Sequence, residues 1–91
     1  MTRNTIDEHQ KNFKPEIDVR GFRADEALLK VQRFVDDALL VGSSQLRILH
    51  GKGNGILRQE IQRFLRTMPY VKSVRDEHVQ FGGAGITVVE L

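Results

Sequence analysis

The run His50-Gly51-Lys52-Gly53-Asn54-Gly55 puts an imidazole, an ammonium and three glycines into six consecutive positions. Glycines let a backbone turn tightly and bring its N–H groups close to an anion, and Lys52 adds a full charge, so the combination suits phosphate binding. A plain βα turn with Asn54 as helix N-cap is the simpler alternative. It needs one glycine, however, not three flanking a lysine. The run is not a Walker loop, because the lysine follows the first glycine directly and no Gly-Lys-Ser or Gly-Lys-Thr closes it. Nor is it a dinucleotide fingerprint, since Gly51, Gly53 and Gly55 form G-x-G-x-G and no suitably placed acidic residue ends the next strand.

Asp18 and Arg20 stand two residues apart just before Gly21. With Asp18 at the same sheet edge as His50, the two could act as general base and acid, Asp18 orienting an imidazole near its ordinary pKa of about 6.5. The plainer reading is that Asp18 pairs with Arg20 or caps the first helix, and that His50 only packs. A second glycine cluster, Gly82-Gly83-Ala84-Gly85, precedes Thr87 and by itself reads as a turn into the last strand. His9 and His78 read as exposed bystanders. No His pair or carboxylate cluster has metal-ligand spacing, so no metal site is expected. Aromatic residues are sparse and lie mostly on apolar stripes (Phe34, Phe64), which argues against a base-stacking platform, Phe22 and Tyr70 being weak exceptions.

The elements that must position these groups follow from periodicity. Ile17 to Arg20 alternates apolar and charged residues as a strand does, with Asp18 and Arg20 on one face. From Ala24 to about Val41, the residues Ala27, Leu28, Val31, Phe34, Val35, Ala38 and Leu39 recur at helical spacing, with Gly42 as the C-cap. Leu46 to His50 predicts a second strand. Ile56 to Met68 predicts a second helix with the stripe Leu57, Ile61, Phe64, Leu65 and Met68, stopped by Pro69. Val71 to Arg75 and Ile86 to Leu91 predict two more strands, joined by a loop over 76–85. The order βαβαββ implies an α/β fold: a two-layer α/β sandwich with a mixed four-stranded sheet and two helices. Residues 1–15 read as a linker or tail and 16–91 as the domain.

At 91 residues the chain has room for one core. It has no cysteine, so disulfide frameworks, thiol nucleophiles and cysteine-bound zinc are excluded, and no apolar run approaches the roughly 20 residues of a membrane-spanning helix. A cytoplasmic location is the expectation. Positions 45–75 hold seven basic residues (Arg47, Lys52, Arg58, Arg63, Arg66, Lys72, Arg75) and one acidic residue, Glu60, a local charge of +6 within a net charge of +2. Such a stretch points to an anionic partner, with a solvated helix face as the bland alternative.

Taken in order, Asp18-Val19-Arg20-Gly21, His50-Gly51-Lys52-Gly53 and Gly82-Gly83-Ala84-Gly85-Ile86-Thr87-Val88 resemble the three signature segments of the Smr (small MutS-related) domain, over roughly residues 16–91. The D-x-R-G form is most like the version at the C-terminus of bacterial MutS-like anti-recombination ATPases. Members carrying D-x-H-G have a histidine where this chain has Arg20, which weakens a histidine-dependent ribonuclease mechanism and leaves Asp18 and His50 as acid/base candidates.

The resemblance implies an endonuclease domain that nicks structured or branched DNA, or RNA, within a parent that suppresses recombination or rescues ribosomes. The alternative is a non-catalytic module anchoring that parent to nucleic acid or ribosomes. On this reading Asp18, Arg20 and His50 are the catalytic candidates. Gly51, Lys52, Gly53, Asn54, Arg58, Arg63, Arg66, Gly82, Gly83 and Gly85 would contact nucleic acid. No cofactor is expected in the domain, ATP and Mg belonging to the parent; the isolated domain is expected to be monomeric and the parent a homodimer.

Overall fold

The computed structural model describes residues 13–91. Strand β1 (Glu16–Asp18) leads into helix α1 (Ala24–Val41), strand β2 (Gln45–Leu49), helix α2 (Ile56–Arg66) and strand β3 (Ser73–Asp76). Two single-turn 3-10 helices, Val79–Phe81 and Gly83–Gly85, then precede strand β4 (Ile86–Glu90). The sheet order is β1-β2-β4-β3, with β1 parallel to β2, and β4 antiparallel to both β2 and β3. The α/β class, the four strands and the two helices match the expected sandwich.

The most β-prone segment, Ile86-Thr87-Val88-Val89, takes a central position, where both its edges are paired. Alternation then divides the side chains. Leu46 and Ile48 of β2 and Val89 of β4 join Ala27, Val31, Phe34, Val35 and Ala38 of α1 and Ile61 and Leu65 of α2 in one buried cluster. Thr87 lies on the same inward side and is wholly buried. Arg47 emerges on the opposite face, beside Glu16 and Glu77.

Helix ends follow local chemistry. Gly42 adopts φ 76°, the left-handed conformation expected of a C-cap, and its N–H returns to Leu39 and Ala38. Helix α2 starts after Gly55 at φ 82°, and the Asn54 side chain accepts the Ile56 N–H at 3.1 Å, so Asn54 acts as a cap one residue before the helix boundary. The expected end at Met68 shortens to Arg66, because the following N–H groups of Thr67 and Met68 form tighter turns onto Phe64 and Leu65. Contacts of the folded unit reach back to Phe13, whose ring stacks on Phe34 at 5.6 Å, and to Pro15, whose carbonyl accepts the Arg47 N–H. The remainder of the expected tail, with His9, lies outside the described residues.

Candidate functional site

The three signature segments meet at one sheet edge. Beyond the last pairs of β1 and β2, the Gly85 carbonyl receives the N–H groups of His50 and Gly51 at 3.1 and 3.0 Å, latching the lysine loop to the second glycine cluster. Gly51 has φ 80°, and a Cβ there would lie 3.6 Å from the Arg20 side chain, so the stem of Arg20 runs alongside the loop. A Cβ on Gly85 would sit 3.5 Å from Cγ of Lys52. Arg20 and Lys52 are both exposed, the Arg20 stem alongside Gly51 and Lys52 next to Gly51 in the chain.

Most of the glycine N–H groups expected to hold phosphate serve the architecture instead. Gly51 donates to Gly85, closing the lysine loop onto the second glycine cluster, while Gly83 donates to His78 and Gly85 to Gly82 in the turns of that segment itself. Gly55 likewise donates to Lys52. The N–H groups of Lys52, Gly53 and Asn54 have no partner among the described residues. These three consecutive N–H groups, with the Lys52 ammonium, are the donors that the loop leaves available to an anion.

Asp18 does not orient His50. Its carboxylate accepts from Nε and Nη2 of Arg20 at 2.9 and 2.6 Å and from the Arg20 backbone N–H at 3.0 Å. The Arg20 hydrogen bonds hold the Asp18 carboxyl down at about 2, and Asp18 in turn raises the Arg20 guanidinium above its ordinary value. The plainer alternative, an Asp18–Arg20 pair, is the one observed.

His50 is only 5% exposed, and both ring nitrogens are engaged internally. Its Nδ1 lies 2.9 Å from the Gly51 carbonyl, which can only accept, so Nδ1 carries the proton. Nε2 then accepts the Thr87 hydroxyl proton at 2.7 Å. The same Thr87 oxygen accepts from Nε2 of Gln62 at 3.0 Å, whose second N–H goes to Asp76 at 2.9 Å. Arg58 closes the chain with two bonds to Asp76, at 2.7 and 2.9 Å. Each donor in this relay has one acceptor, and no buried side-chain polar atom among the described residues lacks a partner.

Sequence reading named Thr87 only as part of a motif and missed Gln62 and Asp76 altogether. Two signals were available. Thr87 stands two residues from Val89 on the inward face of β4, and Gln62 sits beside Ile61 and Leu65 near the apolar stripe of α2. A polar group at such a place must find a partner.

The relay predicts a pH dependence. Burial is the largest cause lowering the His50 pKa from 6.5; Arg58 adds to it, while the Gly51 hydrogen bond and Asp76 oppose it. Below about pH 6.5 the unfolded chain therefore binds a proton that the folded chain resists, so stability falls as pH drops from 6.5 through the folded value. Asp76, lowered chiefly by Arg58, contributes stability above its ordinary value of 3.8 that is lost only in more acid solution. Urea unfolding midpoints measured from pH 7.5 to 5 should decline, and His50→Gln should flatten the decline.

The basic stretch is partly neutralised in three dimensions. Arg47 bonds Glu16 and Glu77, Arg58 bonds Asp76, and Arg75 approaches Glu90 at 3.8 Å, because the sheet brings acidic residues from both ends of the chain beside them. Arg58 is thus tied into the relay rather than left free for phosphate, as expected from sequence. Arg63, 72% exposed, has only a 3.5 Å contact with Glu60, and Arg66 makes a long 3.4 Å bond to Gln62. These two arginines, with Arg58, Gln59 and Gln62, line an open depression of about 490 Å³ along α2. Among the described residues no group of three or more His, Asp or Glu could hold a metal ion, and no helix is long and apolar enough to cross a membrane.

Comparison with known proteins matches this arrangement. Residues 17–91 match the family model described as Smr domain. Endonuclease MutS2 of Caldanaerobacter subterraneus subsp. tengcongensis is 49% identical over 86 residues, covering 94% of this chain and 11% of that protein. The corresponding protein of Halalkalibacterium halodurans is 49% identical over 87 residues, covering 96% of this chain and again 11% of the relative. The chain therefore spans about a tenth of the length of these relatives. The crystal structure of the Smr domain of Thermus thermophilus MutS2 superposes with a TM-score of 0.83 at 46% identity, over 86% of this chain and 98% of that one. YdaL, a stand-alone small MutS-related protein from Escherichia coli, shares the fold with a TM-score of 0.79 at 22% identity, over 97% of this chain and 75% of that one. With its three signature segments converging on one sheet edge and this agreement over nearly its whole length, the chain belongs to the Smr domain family, in the form carried by MutS2 proteins.

Proposed function

We propose that this domain binds nucleic acid at the Lys52 loop and nicks it there, as the C-terminal part of a MutS-like ATPase. The observation that carries the reading is the pairing of unpartnered backbone N–H groups at Lys52, Gly53 and Asn54 with two exposed cations, Lys52 and Arg20, beside Gly51. A phosphodiester bound there would meet both charges. Asp18 uses only Nε and Nη2 of Arg20, so the rest of the guanidinium can face developing negative charge. Arg63 and Arg66 would extend the contact along α2, since its eleven residues from Ile56 to Arg66 span about 16 Å. His50 acts as a positioning residue, holding the loop through Thr87 and Gly51 rather than touching the phosphate. The substrate class is structured or branched DNA, or RNA, consistent with a parent that suppresses recombination or rescues ribosomes.

A second reading, a non-catalytic anchoring module for nucleic acid or ribosomes, draws on the internal engagement of both His50 nitrogens. Incubating the domain and an Arg20→Ala variant with supercoiled plasmid and with structured RNA, with and without EDTA, separates the two. Nicking by the wild type alone supports the nuclease; equal binding without nicking leaves the anchor; failure to bind either polymer defeats both. Lys52→Ala should weaken binding about tenfold and reduce the salt slope by about one unit, as loss of one phosphate contact requires. Fluorescence anisotropy across a salt series measures both.

A further inference from the structure

We infer that Phe81, flanked by His78 and Val79, is a stacking platform for an unpaired nucleobase; this rests on the nucleic-acid reading above. Val79 is 83% exposed and Phe81 64% exposed, the two most exposed large apolar side chains among the described residues. Nothing about the loop is slack. The Phe81 N–H donates to the His78 carbonyl at 2.8 Å, the Gly83 N–H donates to the same oxygen at 3.0 Å, and Nδ1 of His78 accepts the Gln80 N–H at 3.2 Å. Nη2 of Arg47 grips the Phe81 carbonyl at 3.2 Å, while the same guanidinium is fixed by Glu16 and Glu77. Gly82 follows at φ 128°, so close to Ile86 that a Cβ would come within 2.4 Å of its side chain. An apolar ring left to itself would fold against the domain; here the backbone holds it in solvent, already arranged for a partner.

The chemistry of the partner follows from the neighbours. The His78 and Phe81 rings lie 6.0 Å apart at 54°, presenting two aromatic surfaces on one turn. Four residues later the same segment supplies the Gly85 carbonyl that binds the lysine loop. A nucleobase is a flat, uncharged ring system of the kind such an aromatic surface accepts, and the strand that carries it brings the phosphates the Lys52 loop would take. Base stacking on an aromatic side chain needs an unpaired base, which directs the domain to single-stranded segments, gaps or branch points rather than continuous duplex. The sparseness of aromatics in the sequence concealed this site, because Phe81 lies outside every periodic stripe.

The test uses oligonucleotides carrying 2-aminopurine in a single strand, at a gap, or within a continuous duplex, with the wild type and the variants Phe81→Ala, Phe81→Tyr and Lys52→Ala. The expected result is quenching of 2-aminopurine in the single strand and gap on binding. Phe81→Ala should abolish the quenching and weaken binding to these substrates roughly tenfold without changing the salt slope or duplex binding, and Phe81→Tyr should retain both. Unchanged quenching and affinity in Phe81→Ala, with weakened binding in Lys52→Ala, would overturn the stacking site alone and leave the patch to an apolar protein partner. If the wild type binds none of the three substrates, the nucleic-acid reading falls as well.

Discussion

Thr87→Val is expected to destabilise the domain by about 2–4 kcal/mol, although valine fills nearly the same space. The loss comes from the hydroxyl alone. Without it, Nε2 of His50 loses its donor and one N–H of Gln62 loses its acceptor, both at buried positions. Each buried polar group left without a partner costs about 1–3 kcal/mol, and a domain of this size has only about 5–10 kcal/mol in total. A drop in Tm of roughly 10–30 °C follows, since about 1 kcal/mol shifts a domain of this length by 4–8 °C. Thr87→Ser keeps the hydroxyl and should recover most of the loss. Equal stability of Thr87→Val and wild type in urea unfolding would show that the His50–Thr87–Gln62 relay contributes nothing to folding. The expected loss is large because all three members are buried together.

The helices, the strands and their order were legible because their signals are local. An apolar stripe at helical spacing marks Ala24–Val41, and Gly42 marks its end without reference to anything distant. The insertion of β4 between β2 and β3 was less so, for it depends on which strand gains most from two paired edges. At the site, the meeting of Asp18, Arg20 and His50 at one edge was readable from strand direction, whereas their pairing was not. Asp18 is two residues from Arg20 on a turning backbone, a separation that lets one carboxylate collect three bonds from a single neighbour. That local contact outcompeted the more distant imidazole. The same limit applies to charge: a count along the chain shows seven cations between 45 and 75, but Glu16, Asp76, Glu77 and Glu90 reach Arg47, Arg58 and Arg75 only through sheet register and loop closure.

Asp18→Asn is expected to lower nicking about 100-fold while changing nucleic-acid affinity less than threefold. A carboxyl held at about 2 is ionised throughout the working range and is a poor proton acceptor, so it is unsuited to act as a base near neutrality. It holds the Arg20 guanidinium by Nε and Nη2, and on the proposed nuclease reading it would aim the remaining donors at the phosphate. Asparagine offers one oxygen where the carboxylate offers two, and its amide N–H groups confront the donors of Arg20. The guanidinium then loses its fixed direction, and removal of one preoriented charge-stabilising donor typically costs 10²–10³ in rate. Arg20→Lys should fall as far, because an ammonium keeps the charge without the planar fork. Single-turnover nicking against pH, with binding measured on the same samples, distinguishes this from acid/base catalysis by His50. On the positioning reading His50→Gln loses activity only in step with folding and regains it on cooling. Full activity in Asp18→Asn, together with loss of activity in a folded His50→Gln, would return the chemistry to the imidazole.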